Sequence, residues 1–365
     1  MKGGQFTYLW ITGGTASYPQ ISKLSPFLVF LISLTGCGGG GESGPVSAPP
    51  VADTAFVATS VDQALDYAVG EGVDGIWVYV DDGDAPASFK SAGVQNRATR
   101  EPAALTALFK IASVSKMFIA VSTVKLIHAR TLQVDDTLGF WLPDLAGRIQ
   151  NADTITVGQL LQHRSGVPDF DTQAGFSWES PHTSNDALLS FVLDKPADFA
   201  PDARYEYSNT NYLLLGRVLD TALGYSHHEF VQNTILSPLG MVDTYSLLNA
   251  ANRDMLAHGY WNGVDRTFQD FVAPGGSMIS TARDVGIFLR ALATGVLLNA
   301  DEKAVFASLS LAYAHSGWLP GYQSVARYDD RSDTVLVQLV NTTGGTSEQV
   351  SQRVYDALVD LLRGG

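Results

Sequence analysis

The chain has 365 residues, 45% of them hydrophobic and 16% charged, a balance that supports one large folded core and excludes a disordered or fibrous protein. Its formal net charge of -14 is spread along the chain and disfavours nucleic acid and anionic lipid surfaces as partners, because both would repel it. A single cysteine, Cys37, excludes an internal disulfide and a cysteine-rich metal site.

Residues 24–34 form an apolar run much shorter than the roughly 20 residues a membrane-spanning helix needs. Lys23 precedes it and Leu34-Thr35-Gly36-Cys37 follows, the order that marks a secretory signal. The long, nearly uncharged stretch before Lys23 points to a translation start downstream of Met1. Leu-Thr-Gly-Cys resembles the bacterial lipoprotein signal, which implies that Cys37 becomes a lipidated first residue. The folded part would then be exported and anchored to a bacterial membrane, in the periplasm or otherwise outside the cytoplasm. Four glycines and a Ser/Pro-rich segment after Cys37 read as a flexible tether. The expected organisation is a signal over 1–37, a tether over 38–55 and one domain over 56–365, with a helical subdomain over about 138–270.

Ser60 to Glu71 has the spacing of an amphipathic helix behind a Ser60 cap. Gly75 to Val80 is a β-rich run closed by Asp81-Asp82-Gly83, and Ser88 to Asn96 supplies a returning strand. Ala112 to Leu126 is helical and largely apolar, so a buried helix is expected. Helical patterns alternate with Gly-, Pro-, Asn- and Asp-rich loops from Leu138 to Ala257. Ser324 to Tyr328 and Thr334 to Val340 read as strands. Thr346-Ser347-Glu348-Gln349 then opens a last helix with a capping box, its apolar face formed by Val350, Val354, Leu358 and Leu361 and its stop by Gly364. Strands, a helical insertion, strands and a final helix describe an α/β sandwich carrying a helical subdomain.

Within Phe109-Lys110-Ile111-Ala112-Ser113-Val114-Ser115-Lys116, Ser113 and Lys116 share a helix face and can touch. A serine hydroxyl becomes a useful nucleophile when a neighbour takes its proton, and a desolvated lysine can do so. A second S-x-x-K, Ser122 to Lys125, lies nine residues on and about half a turn out of phase, so both pairs cannot face one cleft. Further on stand Tyr207-Ser208-Asn209 and His315-Ser316-Gly317-Trp318; a second Y-x-N, Tyr260 to Asn262, shows how common that pattern is alone. His227-His228-Glu229 does not read as a metal site, since adjacent histidines on a helix point apart. Trp141, Trp178 and Trp261 read equally as core or as cleft walls. There is no G-x-S-x-G, which removes the nucleophile elbow of the α/β-hydrolases. Nothing in the chain calls for a metal or an organic cofactor.

The three motifs, in this order and separation, resemble the serine β-lactamase and penicillin-binding protein superfamily. The nearest branch is the one that holds class C β-lactamases, D-alanyl-D-alanine carboxypeptidases, D-aminopeptidases and related esterases. Ile155 to Pro168, Leu213 to Gly216, Pro238 to Met241 and Ala273 to Asp284 extend the likeness over about Phe56 to Arg363. The resemblance implies a β-lactamase/transpeptidase-like sandwich of an antiparallel sheet flanked by helices. It implies that Ser113 forms the acyl-enzyme and that Lys116 and Tyr207 share the proton work, the lysine lowering the tyrosine pKa. It implies that Asn209 holds Lys116 and the substrate amide, and that His315 and Gly317 lie on an edge strand where substrate adds. The backbone N–H groups of Ser113 and Trp318 would form the oxyanion hole.

Class C β-lactamases usually carry Lys-Thr-Gly or Lys-Ser-Gly where this chain has His315-Ser316-Gly317. The histidine form resembles the carboxypeptidases and D-aminopeptidases, and histidine lacks lysine's fixed charge at neutral pH. The preferred expectation is a D-alanyl-D-alanine carboxypeptidase-like D-peptidase, with a carboxylesterase or β-lactamase as the alternative and a non-catalytic penicillin-binding protein as a third reading. The expected ligands are a small peptide, a β-lactam or an ester.

Overall fold

The structure, a computed structural model, describes residues 56–250 and 252–363. Cys37, the signal run, the tether and Gly364 lie outside the described residues. The chain runs through α1 (Val61–Gly70), β1 (Gly75–Asp81), β2 (Ser88–Asn96), β3 (Glu101–Pro102), β4 (Phe109–Lys110) and α2 (Ser115–His128). A helical stretch follows: α3 (Leu138–Trp141), α4 (Val157–Leu161), α5 (Asn185–Ser190), α6 (Asn209–Leu223) and α7 (His227–Val231). After short strands β5 (Tyr260–Trp261), β6 (Val264–Asp265) and β7 (Ile279–Ser280) come α8 (Ala282–Thr294) and α9 (Ala300–Ser308). The described chain closes with β8 (Ala314–Leu319), β9 (Tyr322–Asp329), β10 (Thr334–Val340), β11 (Thr342–Thr343) and α10 (Ser347–Arg363).

The two ends of the chain build one antiparallel sheet in the order β3-β2-β1-β10-β9-β8, with β1 beside β10. Side chains alternate across a strand, so β1 serves two cores at once. Ile76, Val78 and Val80 pack with Ala64, Leu65 and Ala68 of α1 and Val350, Val354 and Leu358 of α10. Trp77 and Tyr79 face the opposite side, where α2, α8 and the helical stretch form the larger core. There α8 lies so close to the sheet that a Cβ on Gly286 would fall 2.2 Å from the Tyr79 ring. Phe118 of α2 stacks on Phe288 of α8 at 4.0 Å between ring centres. The result is an α/β sandwich with helices on both faces and a helical region over one of them.

One expected element differs in detail. The helix expected from Ala112 begins as a 3-10 turn over Ala112–Val114 and becomes α-helical at Ser115. Glu348, in the first turn of α10, accepts hydrogen bonds from the Gly344 N–H (2.8 Å) and from Trp318 Nε1 (3.0 Å). The start of α10 is thereby tied to β8.

Candidate active site

Ser113 sits on the 3-10 turn that leads into α2, and the turn is clamped from two sides. Ala112 before it holds a left-handed backbone (φ 49°), which costs a residue with a Cβ about 1 kcal/mol and persists only when neighbours fix it. Ser115 Oγ donates to the Ala112 carbonyl (2.6 Å) and accepts from the Met278 N–H (3.2 Å). From β9, Ser324 Oγ donates to the Ile111 carbonyl (2.7 Å). Gly317 of β8 presses on the same turn: a Cβ there would lie 2.7 Å from the Ile111 oxygen and 2.9 Å from the Ala112 Cβ. The absent side chain at Gly317 is what lets the edge strand reach Ser113.

Lys116 is buried, with Nζ 3.0 Å from Ser113 Oγ, 2.8 Å from Asn209 Oδ1 and 2.9 Å from the Gly275 carbonyl. Two of these partners are pure acceptors and hold two N–H groups. A neutral Lys116 therefore turns its lone pair to the Ser113 hydroxyl. Burial pushes its pKa from 10.5 down to about 7, while the charges of Asp169 and Asp171 pull the other way. The Tyr207 hydroxyl donates to Ser113 Oγ at 3.1 Å and lies 3.4 Å from Asn209 Oδ1. Ser113 Oγ is thus bracketed by an amine, which takes its proton when neutral, and a phenol, which takes it once ionised.

Asn209 opens α6 and orients the centre. Its Oδ1 faces Lys116, and its Nδ2 donates to Asp169 Oδ2 (3.1 Å) and Asp171 Oδ2 (3.2 Å). A lysine on one side and carboxyl oxygens on the other leave the amide a single orientation. The loop bearing the two aspartates is fastened to α6 by Thr210, whose Oγ1 accepts from the Phe170 N–H (3.0 Å) and donates to the Pro168 carbonyl (2.8 Å). Burial raises the pKa of both aspartates; at Asp169 the charge of Asp171 adds to the rise.

His163 stacks on Tyr207 at 4.4 Å, and its Nδ1 accepts from the Ser208 N–H (3.2 Å). Burial first, and then the charge of Lys116, hold it well below the usual histidine range. His315 is pushed down to about 3 by burial and by Lys116, so it is neutral at physiological pH.

His315, Gly317 and Trp318 lie on β8, the free edge of the sheet. The Tyr328 N–H bonds to the Tyr313 carbonyl, which sets the alternation of the ladder. Along the register His315–Ala326, Gly317–Ser324 and Leu319–Tyr322, the odd residues bond to β9 and the even ones point outward. The Trp318 N–H therefore faces off the edge. Ser113 lies in the first turn of its helix, where N–H groups have no intrahelical acceptor. These are the two N–H groups that the resemblance leads one to expect as oxyanion donors. Beyond them the Trp318 ring meets Trp178 at 5.8 Å and Trp261 at 5.9 Å, and Trp178 meets Phe271 at 5.5 Å. On the other flank, past Lys116 and His315, lies a cavity of about 530 Å³ walled by Met117, Leu161, Tyr212, Phe306 and Leu309, with Arg164 and Asp202 also lining it.

Other candidates lie elsewhere. In the second S-x-x-K, Ser122 donates to the Phe118 carbonyl, while Lys125 donates to the Leu297 carbonyl and pairs with Glu302 at 3.5 Å. That pair fastens α2 to α9. Tyr260 accepts from the Arg97 N–H, Trp141 donates to Asp136, and His227 is tied to Asp220 at 2.7 Å. Asp169, Asp171, His163 and Gly275 gave no chemical signal in the sequence, because their roles depend on neighbours up to 159 positions away.

A serine bracketed by a buried lysine and a tyrosine, on a turn pressed against a sheet edge, has the arrangement for the acyl-transfer chemistry of a serine hydrolase. A family model described as Beta-lactamase matches residues 61–311, a span that includes Ser113, Lys116, Tyr207 and Asn209 and ends before β8. The chain belongs to that family, within the serine β-lactamase and penicillin-binding protein superfamily. It is 25% identical over 319 residues to Penicillin-binding protein 4* of Bacillus subtilis (strain 168), covering 75% of this chain and 69% of the relative. Among solved structures it is similar to the D-amino acid amidase of Ochrobactrum anthropi SV3, with 25% identity, a TM-score of 0.71, and coverage of 84% of this chain and 100% of that one. EstCE1, a hydrolase with promiscuous acyltransferase activity, shares the fold at 20% identity and a TM-score of 0.63, over 81% of this chain and 97% of that one.

Proposed function

We propose that this protein hydrolyses D-amino-acid amides and peptides through an acyl-enzyme on Ser113. The observation that carries the reading is the pair of contacts on Ser113 Oγ, 3.0 Å to a buried Lys116 and 3.1 Å to Tyr207. Ser113 attacks the acyl carbonyl as its proton passes to Lys116 or Tyr207. The N–H groups of Ser113 and Trp318 stabilise the oxyanion, and the same acid–base pair returns the proton to the leaving amine. Water then repeats the cycle on the ester. The D-configuration is supported by the likeness to the D-amino acid amidase.

A D-alanyl-D-alanine carboxypeptidase is the narrower form of this reading, and it requires a cation for the terminal carboxylate. His315 is neutral, and Arg164 is held by Asp202 through Nε at 2.5 Å and Nη2 at 2.6 Å. Amides with no free carboxylate are accordingly the better substrates. The aromatic wall at Trp318 and the mainly apolar cavity past His315 favour carboxylesterase activity as a second reading. Export and lipidation at Cys37 complete the proposal on the support of the sequence alone; a Cys37→Ser variant is expected to leave the membrane fraction.

The test offers D-phenylalanine amide, N-acetyl-D-alanyl-D-alanine and a p-nitrophenyl ester to the wild type and to Ser113→Ala. Ser113-dependent release of ammonia from the amide supports the amidase. Ester turnover with both amide bonds intact would leave the carboxylesterase.

A further inference from the structure

The inference rests on the proposed acyl transfer at Ser113 and concerns the acyl end of the substrate. The leaving atom takes its proton from Lys116 or Tyr207, so the leaving group lies on their flank, where His315 also stands. The acyl group then runs the other way, along the wall of Trp318, Trp178 and Trp261. That wall carries a cation. The guanidinium of Arg266 lies 5.5 Å from the centre of the Trp261 ring, and Trp261 meets the Trp318 ring at a right angle, 5.9 Å between centres.

The backbone holds Arg266 in place. Its N–H donates to the Gly259 carbonyl (2.8 Å), and its carbonyl accepts from the Gln269 N–H (3.0 Å). Trp261 is fixed by β5, which pairs with β6 and β11. The Arg266 side chain is partly buried, and its Nε–H is shielded from solvent yet meets no acceptor among the described residues. The carboxylates of this flank are taken. Asp265 is held by His258 (2.7 Å) and the Thr267 N–H (2.8 Å), and Glu348 by the Trp318 indole N–H (3.0 Å) and the Gly344 N–H (2.8 Å). Two other cations near the site are engaged: Arg164 by Asp202, and Lys110, whose Nζ donates to the Gln269 carbonyl at 2.5 Å. A buried donor of a charged group without an acceptor is costly, and an oxygen arriving with the substrate relieves that cost. A guanidinium laid on an aromatic ring keeps a planar fork of N–H groups that fits a carboxylate with two hydrogen bonds.

We propose that Arg266 binds a carboxylate at the far end of the acyl group, so that the site favours acyl donors that end in an acid. Within the proposed function the preferred substrates are D-amino-acid amides and peptides whose amine carries an acidic acyl group or an acidic residue. The selectivity belongs to the acyl end; at the leaving end Arg164 is already held by Asp202.

The experiment compares kcat/KM for the p-nitroanilides of N-succinyl- and N-succinamoyl-D-phenylalanine, and for the p-nitrophenyl esters of the same two acids. Succinamoyl matches succinyl in size and lacks its charge. The wild type is expected to favour succinyl by roughly 10- to 100-fold in each pair it cleaves, the range for a hydrogen bond to a charged group. In Arg266→Met, which keeps an apolar side chain over Trp261, the ratio is expected to fall close to one, and in Arg266→Lys to recover in part. A ratio cancels a general loss of activity, so a role for Arg266 only in holding Trp261 would leave it unchanged. Equal rates for the two acyl groups in the wild type overturn the proposal, and so does an unchanged ratio in Arg266→Met. The wild-type ratio decides the matter even if a variant fails to fold. Anilides left uncut while the ester pair keeps its ratio would remove the amidase reading and keep the carboxylate site. Anilides cut without preference would do the reverse. Failure to cleave either pair would remove the acyl transfer on which the proposal stands, and the proposal with it.

Discussion

Titrating acylation against pH probes the least ordinary feature of the site, a lysine that loses its charge near physiological pH. An exposed lysine of pKa 10.5 is about 0.03% neutral at pH 7, whereas one at about 7 is about half neutral. Burial alone thus raises the concentration of usable base roughly a thousandfold. With p-nitrophenyl acetate, which carries no titrating group, kcat/KM is expected to climb about tenfold per unit below the inflection and to level off above about pH 7. Lys116→Arg keeps a charge that cannot be removed, and acylation is expected to fall by roughly 10²- to 10⁴-fold. The charges of Asp169 and Asp171 hold the lysine pKa up, so Asp171→Asn is expected to move the inflection to lower pH. A profile flat across this range, or an inflection near the 10.5 of free lysine, would refute the assignment of Lys116 as proton acceptor.

Two substitutions test the frame around it. Gly317→Ala places a methyl group 2.7 Å from the Ile111 carbonyl, backbone that cannot rotate away, so β8 must withdraw from the Ser113 turn. Acylation is expected to fall roughly 100-fold through the misplaced Trp318 N–H, while an unchanged rate would show that β8 does not set the oxyanion donor. Arg290 of α8 grips Asp81 at the end of β1 through Nε (3.0 Å) and Nη2 (2.9 Å), and Asp333 through Nη1 (2.6 Å). Arg290→Ala is expected to lower unfolding stability by about 2–3 kcal/mol in a denaturant titration, because Asp81 is left mostly buried without its partner. A loss below about 0.5 kcal/mol would mean the contact is surface decoration.

The frame was legible wherever one period dominated. Runs rich in β-branched and aromatic residues from Gly75 to Val80 and from Thr334 to Val340 located two central strands, and the spacing of Val350, Val354 and Leu358 located α10. What periodicity could not supply was the sheet order, since β1 and β10 pair across more than 250 positions. Ser113, Lys116, Tyr207 and the His315 strand were found through motifs of short, fixed spacing. The charge balance was not legible, because neither Asp169 nor Asp171 forms a motif with Asn209 and the state of His315 depends on burial. Resemblance brought His315 forward as a substrate group with an open charge state; burial and the neighbouring Lys116 make it neutral.

The central claim is that Ser113 carries the acyl group. The direct measurement is intact-protein mass after incubation with a slowly released penicillin, followed by peptide mapping of the labelled protein. The account predicts one adduct, on Ser113, abolished in Ser113→Ala and retained when Ser122 is replaced by alanine. An adduct on Ser122, or labelling that survives in Ser113→Ala, would contradict it.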